Sequence, residues 1–260
     1  MAVNWDAVQR ELIPLKDYED CCRRFLVSYS YPFVISAFNF TMPDLSGYSQ
    51  KLLGGDSRER YTEYLSALNS HFSELHRVGV KDVLDLVAHT ATRDKLESFV
   101  ERSGVDPRNI VSVLKYLIYW FIPGEKYLSG LVRHNPSISA AIHVLGELEI
   151  RTNLQLLQLG LTPTGRKALA QSSGLPVGVI DELVNRADFS RMPWASKATI
   201  SNIIGAGYGS LAQLANANPE QLYADFFNYG KSIGKNLKLG NEIENSYRIS
   251  KIVPALVEED

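Results

Sequence analysis

Apolar residues recur every three to four positions over most of the chain. Val8, Leu12 and Leu15 share one helical face near the start, and from residue 59 almost to the end the same spacing holds, as in amphipathic helices packed on a core. Start signals punctuate this rhythm. Asp106-Pro107, Thr162-Pro163 and Asn218-Pro219 each set a capping side chain before a proline at the first helical position, and Gln221 stands where a capping-box partner reaches back. The turns between them are short, so successive helices pack together. Residues 25–55, FLVSYSYPFVISAFNFTMPDLSGYSQKLLGG, break the pattern. Pro32 and Pro43 interrupt any long helix, and the segment reads as a short strand pair or an irregular apolar stretch.

The chain also echoes itself. At an offset of 70 residues Thr92 falls on Thr162, Ser103-Gly104 on Ser173-Gly174, Ile110 on Ile180 and Pro123 on Pro193, with matching apolar positions between them. A second echo sets RVGVKDVLDLV (77–87) against GAGYGSLAQLA (205–215), where a glycine ends one helix shortly before the next begins. The expectation is an all-α protein: an aromatic-rich segment over 1–58 and two related helical modules over 59–154 and 155–260.

The second module carries a likeness. Thr162, Gly165-Arg166-Lys167, Leu169-Ala170, Ser173-Gly174, Val184-Asn185-Arg186-Ala187-Asp188, Leu214-Ala215 and Asn218-Pro219-Glu220-Gln221-Leu222 resemble the hallmarks of a bacterial domain family of uncharacterised function. That family is common in cyanobacteria and related to helix-hairpin-helix proteins. The resemblance covers about 155–257 and implies an all-α fold of helical hairpins; it implies little about activity.

A working hairpin of that kind holds a phosphate with main-chain N–H groups at a helix start, where glycines let the backbone approach. Here Met192-Pro193 keep the entry, but Trp194-Ala195-Ser196 stand where the glycines belong. Ser196 is placed to cap the next helix, with Lys197 in its first turn. The counterpart in the first module, Pro123-Gly124-Glu125, puts an acid where phosphate would sit. The expected role of both frames is packing. A glycine-lysine run, NYGKSIGKNLKLGN (228–241), lacks the Ser/Thr of a P-loop and reads as a solvated turn between terminal helices.

Composition narrows the function classes. The formal net charge is −2, without the basic surplus of a dedicated nucleic-acid binder. The two cysteines are adjacent, Cys21-Cys22, so no disulfide framework is expected and a cytoplasmic setting fits. The first residues carry acids early and no apolar core, unlike a signal peptide. Apolar runs such as VLKYLIYWFI are far shorter than the ~20 residues a membrane span needs. The histidines (His71, His76, His89, His134, His143) form no zinc-ligand spacing, and no nucleophile elbow or dinucleotide fingerprint is present. No cofactor, no metal and no enzymatic activity are expected.

Two functions follow as expectations. The first is an adaptor or scaffold binding a partner protein in a larger assembly, through the aromatics Tyr29, Tyr31, Phe33, Phe38 and Phe40. The second is nucleic-acid binding through Arg191, Ser196, Lys197, Lys231, Lys235 and Lys238.

Overall fold

The computed structural model describes residues 3–55, 59–133, 135–237 and 241–259. Among them the protein is all-α, with sixteen α-helices and no strand. The chain gathers into two compact units, Met1–Gly124 and Glu125–Asp260. This division falls between the sequence boundaries at 58/59 and 154/155. The reason is packing: helix α1 lies on α8 within unit 1, and α10 lies on α12 within unit 2.

Unit 1 holds α1 (Trp5–Leu12), α2 (Tyr18–Ser28), α3 (Pro32–Phe38), α4 (Met42–Leu53), α5 (Glu59–Arg77), α6 (Val83–Thr90), α7 (Arg93–Ser103) and α8 (Pro107–Tyr116), followed by a π-helical turn at Leu117–Phe121. The expected strand pair or irregular stretch at 25–55 is helical instead. Pro32 and Pro43 do not break these helices; they open α3 and α4, where an N–H would lack an intrahelical partner anyway. The π turn closes with Ile122 N–H donating to Leu117 O at 2.8 Å. It swings Phe121 into the rings of Phe38, Phe40 and Tyr48, with centroids 5.5, 4.9 and 5.1 Å away. The two aromatic stretches of the sequence thus form one edge-to-face cluster.

Unit 2 opens with a 3-10 turn at Leu128–Leu131. It continues through α9 (Pro136–Glu147), α10 (Asn153–Gly160), α11 (Pro163–Ser173), α12 (Val177–Phe189), α13 (Lys197–Gly205), α14 (Leu211–Ala215), α15 (Pro219–Ser232) and α16 (Asn241–Ser250). The helix starts fall where the caps announced them. Asp106, Thr162, Ser196 and Asn218 all cap with their side chains. Gln221 departs from expectation: its amide reaches forward to Asp225 at 2.7 Å, so no capping box forms there.

The 70-residue echo is present in local geometry. Thr92 caps α7 and Thr162 caps α11. Gly104 and Gly174 end those helices at φ 71° and 70°, a left-handed conformation that favours glycine. Ser103 and Ser173 then each accept the N–H two residues on, at 3.3 Å in both places.

Candidate interaction surfaces

One corner recurs three times, joining α5 to α6, α9 to α10 and α13 to α14. Each time the chain turns through a left-handed residue: Gly79 (φ 97°), Glu149 (φ 61°) and Gly207 (φ 101°). A buried side chain follows, Val80, Ile150 or Tyr208. Its N–H closes onto Leu75, Leu145 or Ile203, at 3.0, 3.0 and 3.2 Å. Two residues later a cap starts the next helix: Asp82, Thr152 or Ser210. In the third helical residue a side-chain oxygen reaches back to the N–H ahead of the cap. These bonds are Lys81 N–H to Asp85 at 3.0 Å, Arg151 N–H to Gln155 at 2.8 Å and Gly209 N–H to Gln213 at 2.8 Å.

Such a corner could offer its N–H groups to an anion, because helix starts present unpaired donors. Here the chain uses several of them itself. At α6 the N–H groups of Val83, Leu84 and Asp85 donate to Phe40 O, Asn39 Oδ1 and Asp82 Oδ1. At α10 Asn153 N–H donates to Lys126 O and Gln155 N–H to Thr152 Oγ1. At the Trp194 hairpin Ser196 Oγ takes Thr199 N–H at 3.1 Å. Trp194 itself lies 57% exposed at φ 62°, a strained setting for a bulky residue.

The residues behind the family likeness divide between the interior, as with Arg166, Arg186 and Asp188, and exposed caps and turns, as with Thr162, Gly174 and Asn218-Pro219. Arg166 is buried, paired to Asp181 at 2.7 Å, and donates to Gly160 O and Leu161 O, tying α10, α11 and α12 together. Arg186 holds Glu182 at 2.7 Å and reaches Leu131 O. Arg191, expected to meet nucleic acid, is buried against Asp188 and donates to Pro254 O. Burial pushes the Asp188 carboxyl up, and Arg191 opposes that shift. Lys126 Nζ donates to Ser190 O at 2.6 Å, and burial holds its ammonium below the ordinary lysine range.

Tyr29, Phe33 and Phe38 are buried, while Tyr31 and Phe40 are half-buried. Tyr29 donates to Phe38 O at 2.9 Å. Of the rings expected to meet a partner, Tyr29, Phe33 and Phe38 pack the core of unit 1, because the chain folds that segment into helices that turn these side chains inward. Cys21 and Cys22 are buried too. Desolvation pushes both thiols up, Cys22 to about 11, which disfavours the reactive thiolate.

What unit 2 exposes lies elsewhere. On α15, Leu222 and Phe226 face inward while Tyr223 and Phe227, four residues apart, face out at 38% and 49% exposure. Lys231 Nζ stands 4.3 Å over the Phe227 ring. Ile233, Lys231, Lys235 and Lys197 are exposed as well; Lys238 and His134 lie outside the described residues. The α15 side chains do not stand out in the sequence, because Phe226 and Phe227 read alike until the helix phase is known. Among the described residues no cluster of His, Cys, Asp and Glu suits a metal ion, and no helix is long and apolar enough to cross a membrane.

Residues 138–239, from α9 to beyond α15, match the model of a family described as a domain of unknown function, DUF4332. No curated protein and no solved structure matches the chain.

Proposed function

We propose that the protein is a non-catalytic adaptor that holds a partner protein in a larger assembly. Its corners are of helix-hairpin-helix type, used for packing. The observation that carries this reading is the outer face of α15, where Tyr223 and Phe227 stand exposed four residues apart. Solvent-exposed aromatics at helical spacing are the residue types that anchor protein interfaces. The donors filled from within the chain at the starts of α6 and α10 support the packing role.

The second reading is single-stranded nucleic acid, favoured by Lys231 over Phe227 with Lys235 nearby, since stacked bases use such aromatic-lysine surfaces. Burial of Arg191 weighs against it. A pull-down of the tagged chain from its host, with and without nuclease, separates the two. Under the adaptor reading a stoichiometric protein survives nuclease and moderate salt and is lost in Tyr223→Asp/Phe227→Asp. Recovery of nuclease-sensitive material alone, with affinity falling steeply with salt and on Lys197→Glu, overturns it.

A further inference from the structure

The last helix of unit 2 ends at Ser250, and the chain then changes character. The N–H groups of Ile252 and Val253 turn back on Ile249 O, at 2.9 and 3.0 Å. From there to Glu259 the chain is neither helix nor strand, and it runs as a strap over earlier helices of the same unit. Three hydrogen bonds fix its course. Arg191, just past α12, donates from Nη2 to Pro254 O at 3.0 Å. Glu258 N–H donates to Leu161 O, at the end of α10, at 2.9 Å. Ser210, the cap of α14, donates its hydroxyl to Glu259 at 3.1 Å. Ile252, Val253, Pro254, Leu256 and Val257 are half-buried along the way, while Ala255, Glu258 and Glu259 are exposed.

The strap is held as a bound peptide is held. Two of its three bonds take main-chain atoms, Pro254 O and Glu258 N–H, and main-chain bonds select an extended backbone rather than a particular side chain. The groups that receive it are set by contacts in which it has no part. Arg191 is paired with Asp188 at 2.6 Å, both side chains buried, and Leu161 and Ser210 stand at helix ends. All three lie within the residues 138–239 that match the family model, and the strap lies outside them. The apolar residues of the strap are half-buried, whereas Leu154, Leu157, Ile180 and Leu214 of the helices beneath are buried completely. Less apolar surface therefore opposes release of the strap than opposes the opening of those helices.

We propose that the surface spanned by Leu161, Arg191 and Ser210 docks an extended segment of a partner protein, and that 252–259 is a self-ligand occupying it until that segment displaces it. The chemistry of the partner segment is read from the occupant seated there. It carries an apolar pair before a proline, a second apolar pair one residue beyond the proline, and then acids, as Ile252-Val253-Pro254-Ala255-Leu256-Val257-Glu258-Glu259 does. The proline carbonyl goes to Arg191, the amide four residues on goes to Leu161 O, and the final acid goes to Ser210. The inference supposes a partner, as the adaptor reading does. It uses none of the α15 residues, so its test succeeds or fails whatever that face does.

The probe is a fluorescein-labelled peptide of residues 251–259, titrated into the full chain and followed by anisotropy. Leu256→Asp/Val257→Asp in the full chain loosens the strap and leaves Leu161, Arg191 and Ser210 in place. Saturable binding to this variant is expected, about tenfold tighter or more than to the unaltered chain, whose site is filled by its own strap. A peptide N-methylated at Glu258 lacks the donor to Leu161 O and binds more weakly. A second measurement needs no substitution: in the unaltered chain the Glu258 amide exchanges with deuterium far faster than the amides of α10 and α12, as in a segment that opens by itself. Exchange of that amide only with global unfolding overturns the proposal, whether or not the variant folds. So does a folded variant that binds no peptide, or binding indifferent to N-methylation. Self-association of the unaltered chain in sedimentation, abolished by Leu256→Asp/Val257→Asp, makes the occupant a second copy and overturns it as well.

Discussion

Leu96 and Val111 of unit 1 are fully buried hydrocarbon. Seventy residues on, the same two positions of unit 2 hold Arg166 and Asp181, ion-paired at 2.7 Å. Tyr116, also fully buried, has Arg186 as its counterpart. Both units keep the threonine cap, the left-handed glycine and the serine bond after it, yet one closes with apolar and aromatic contact and the other with charge. The backbone frame therefore rests on its turns and caps, and the filling between helices is exchangeable. Buried ion pairs are seldom more stabilising than apolar packing, because the desolvation of both charges offsets their attraction. What the Arg166 cluster adds is direction: its guanidinium ends α10 on two carbonyls while holding α12 by its carboxylate.

The sharpest break of this comparison is in unit 1. Phe121→Ala removes the ring on which Phe38, Phe40 and Tyr48 converge, and should cost roughly 4 kcal/mol. Reaction of Cys21 and Cys22 with a thiol reagent at neutral pH follows the opening of unit 1. The rate should rise steeply in the variant, while amide exchange in 125–260 stays as it was.

Next comes the exchange of fillings. Asp181→Val alone strands Arg166 and should cost about 3 kcal/mol, the low end for a broken buried pair, because Asp181 keeps about a third of its side chain in water. Arg166→Leu/Asp181→Val imports the residues of unit 1 and should recover most of that loss. A double-mutant cycle by urea unfolding measures the coupling. Additive losses would show that the two units do not share a frame.

A smaller effect lies at the corners. Gly79 has open space around the position of a Cβ, so Gly79→Ala pays only the left-handed backbone cost of about 1 kcal/mol. Glu149→Gly relieves the same strain and should stabilise by a similar amount. Opposite signs in thermal melts of the two variants are the expected result; equal signs would mean the corners are not equivalent.

The smallest is the response to acid. The Arg93 hydrogen bond holds the Glu19 carboxyl below the usual carboxylate range, and Arg108 does the same for Asp106. For groups lowered in the fold, the contribution is present above the ordinary carboxylate pKa and is lost as pH falls through the depressed value. Glu19 is exposed and Asp106 half-buried with a third of its side chain in water, so the loss is well under ~1 kcal/mol each. Urea midpoints between pH 5.5 and 2.5 should fall, and Glu19→Gln should flatten part of that slope.

Local chemistry was legible from residues alone. Helix starts at Asp106, Thr162, Ser196 and Asn218, the paired glycine ends at 104 and 174 and the all-α class rest on contacts within a few residues, which a sequence displays directly. The echo of 77–87 in 205–215 marked two of the three recurring corners. The corner at Glu149 escaped because its glycine is a glutamate and its cap a threonine, so identity vanished while geometry stayed.

Burial was decided only in three dimensions. Spacing marks an aromatic as apolar but not as inward-facing, so Phe38 and Phe227 look alike in sequence and end on opposite sides of their units. Arg191 reads as a surface cation until Asp188 is seen beside it in the interior. Prolines 32 and 43 stop one helix or start another, depending on where the chain before them turns. Sequence set the periods, caps and breaks, because these are energies of neighbours along the chain. The fold set which faces meet, because desolvation depends on residues far apart in the chain.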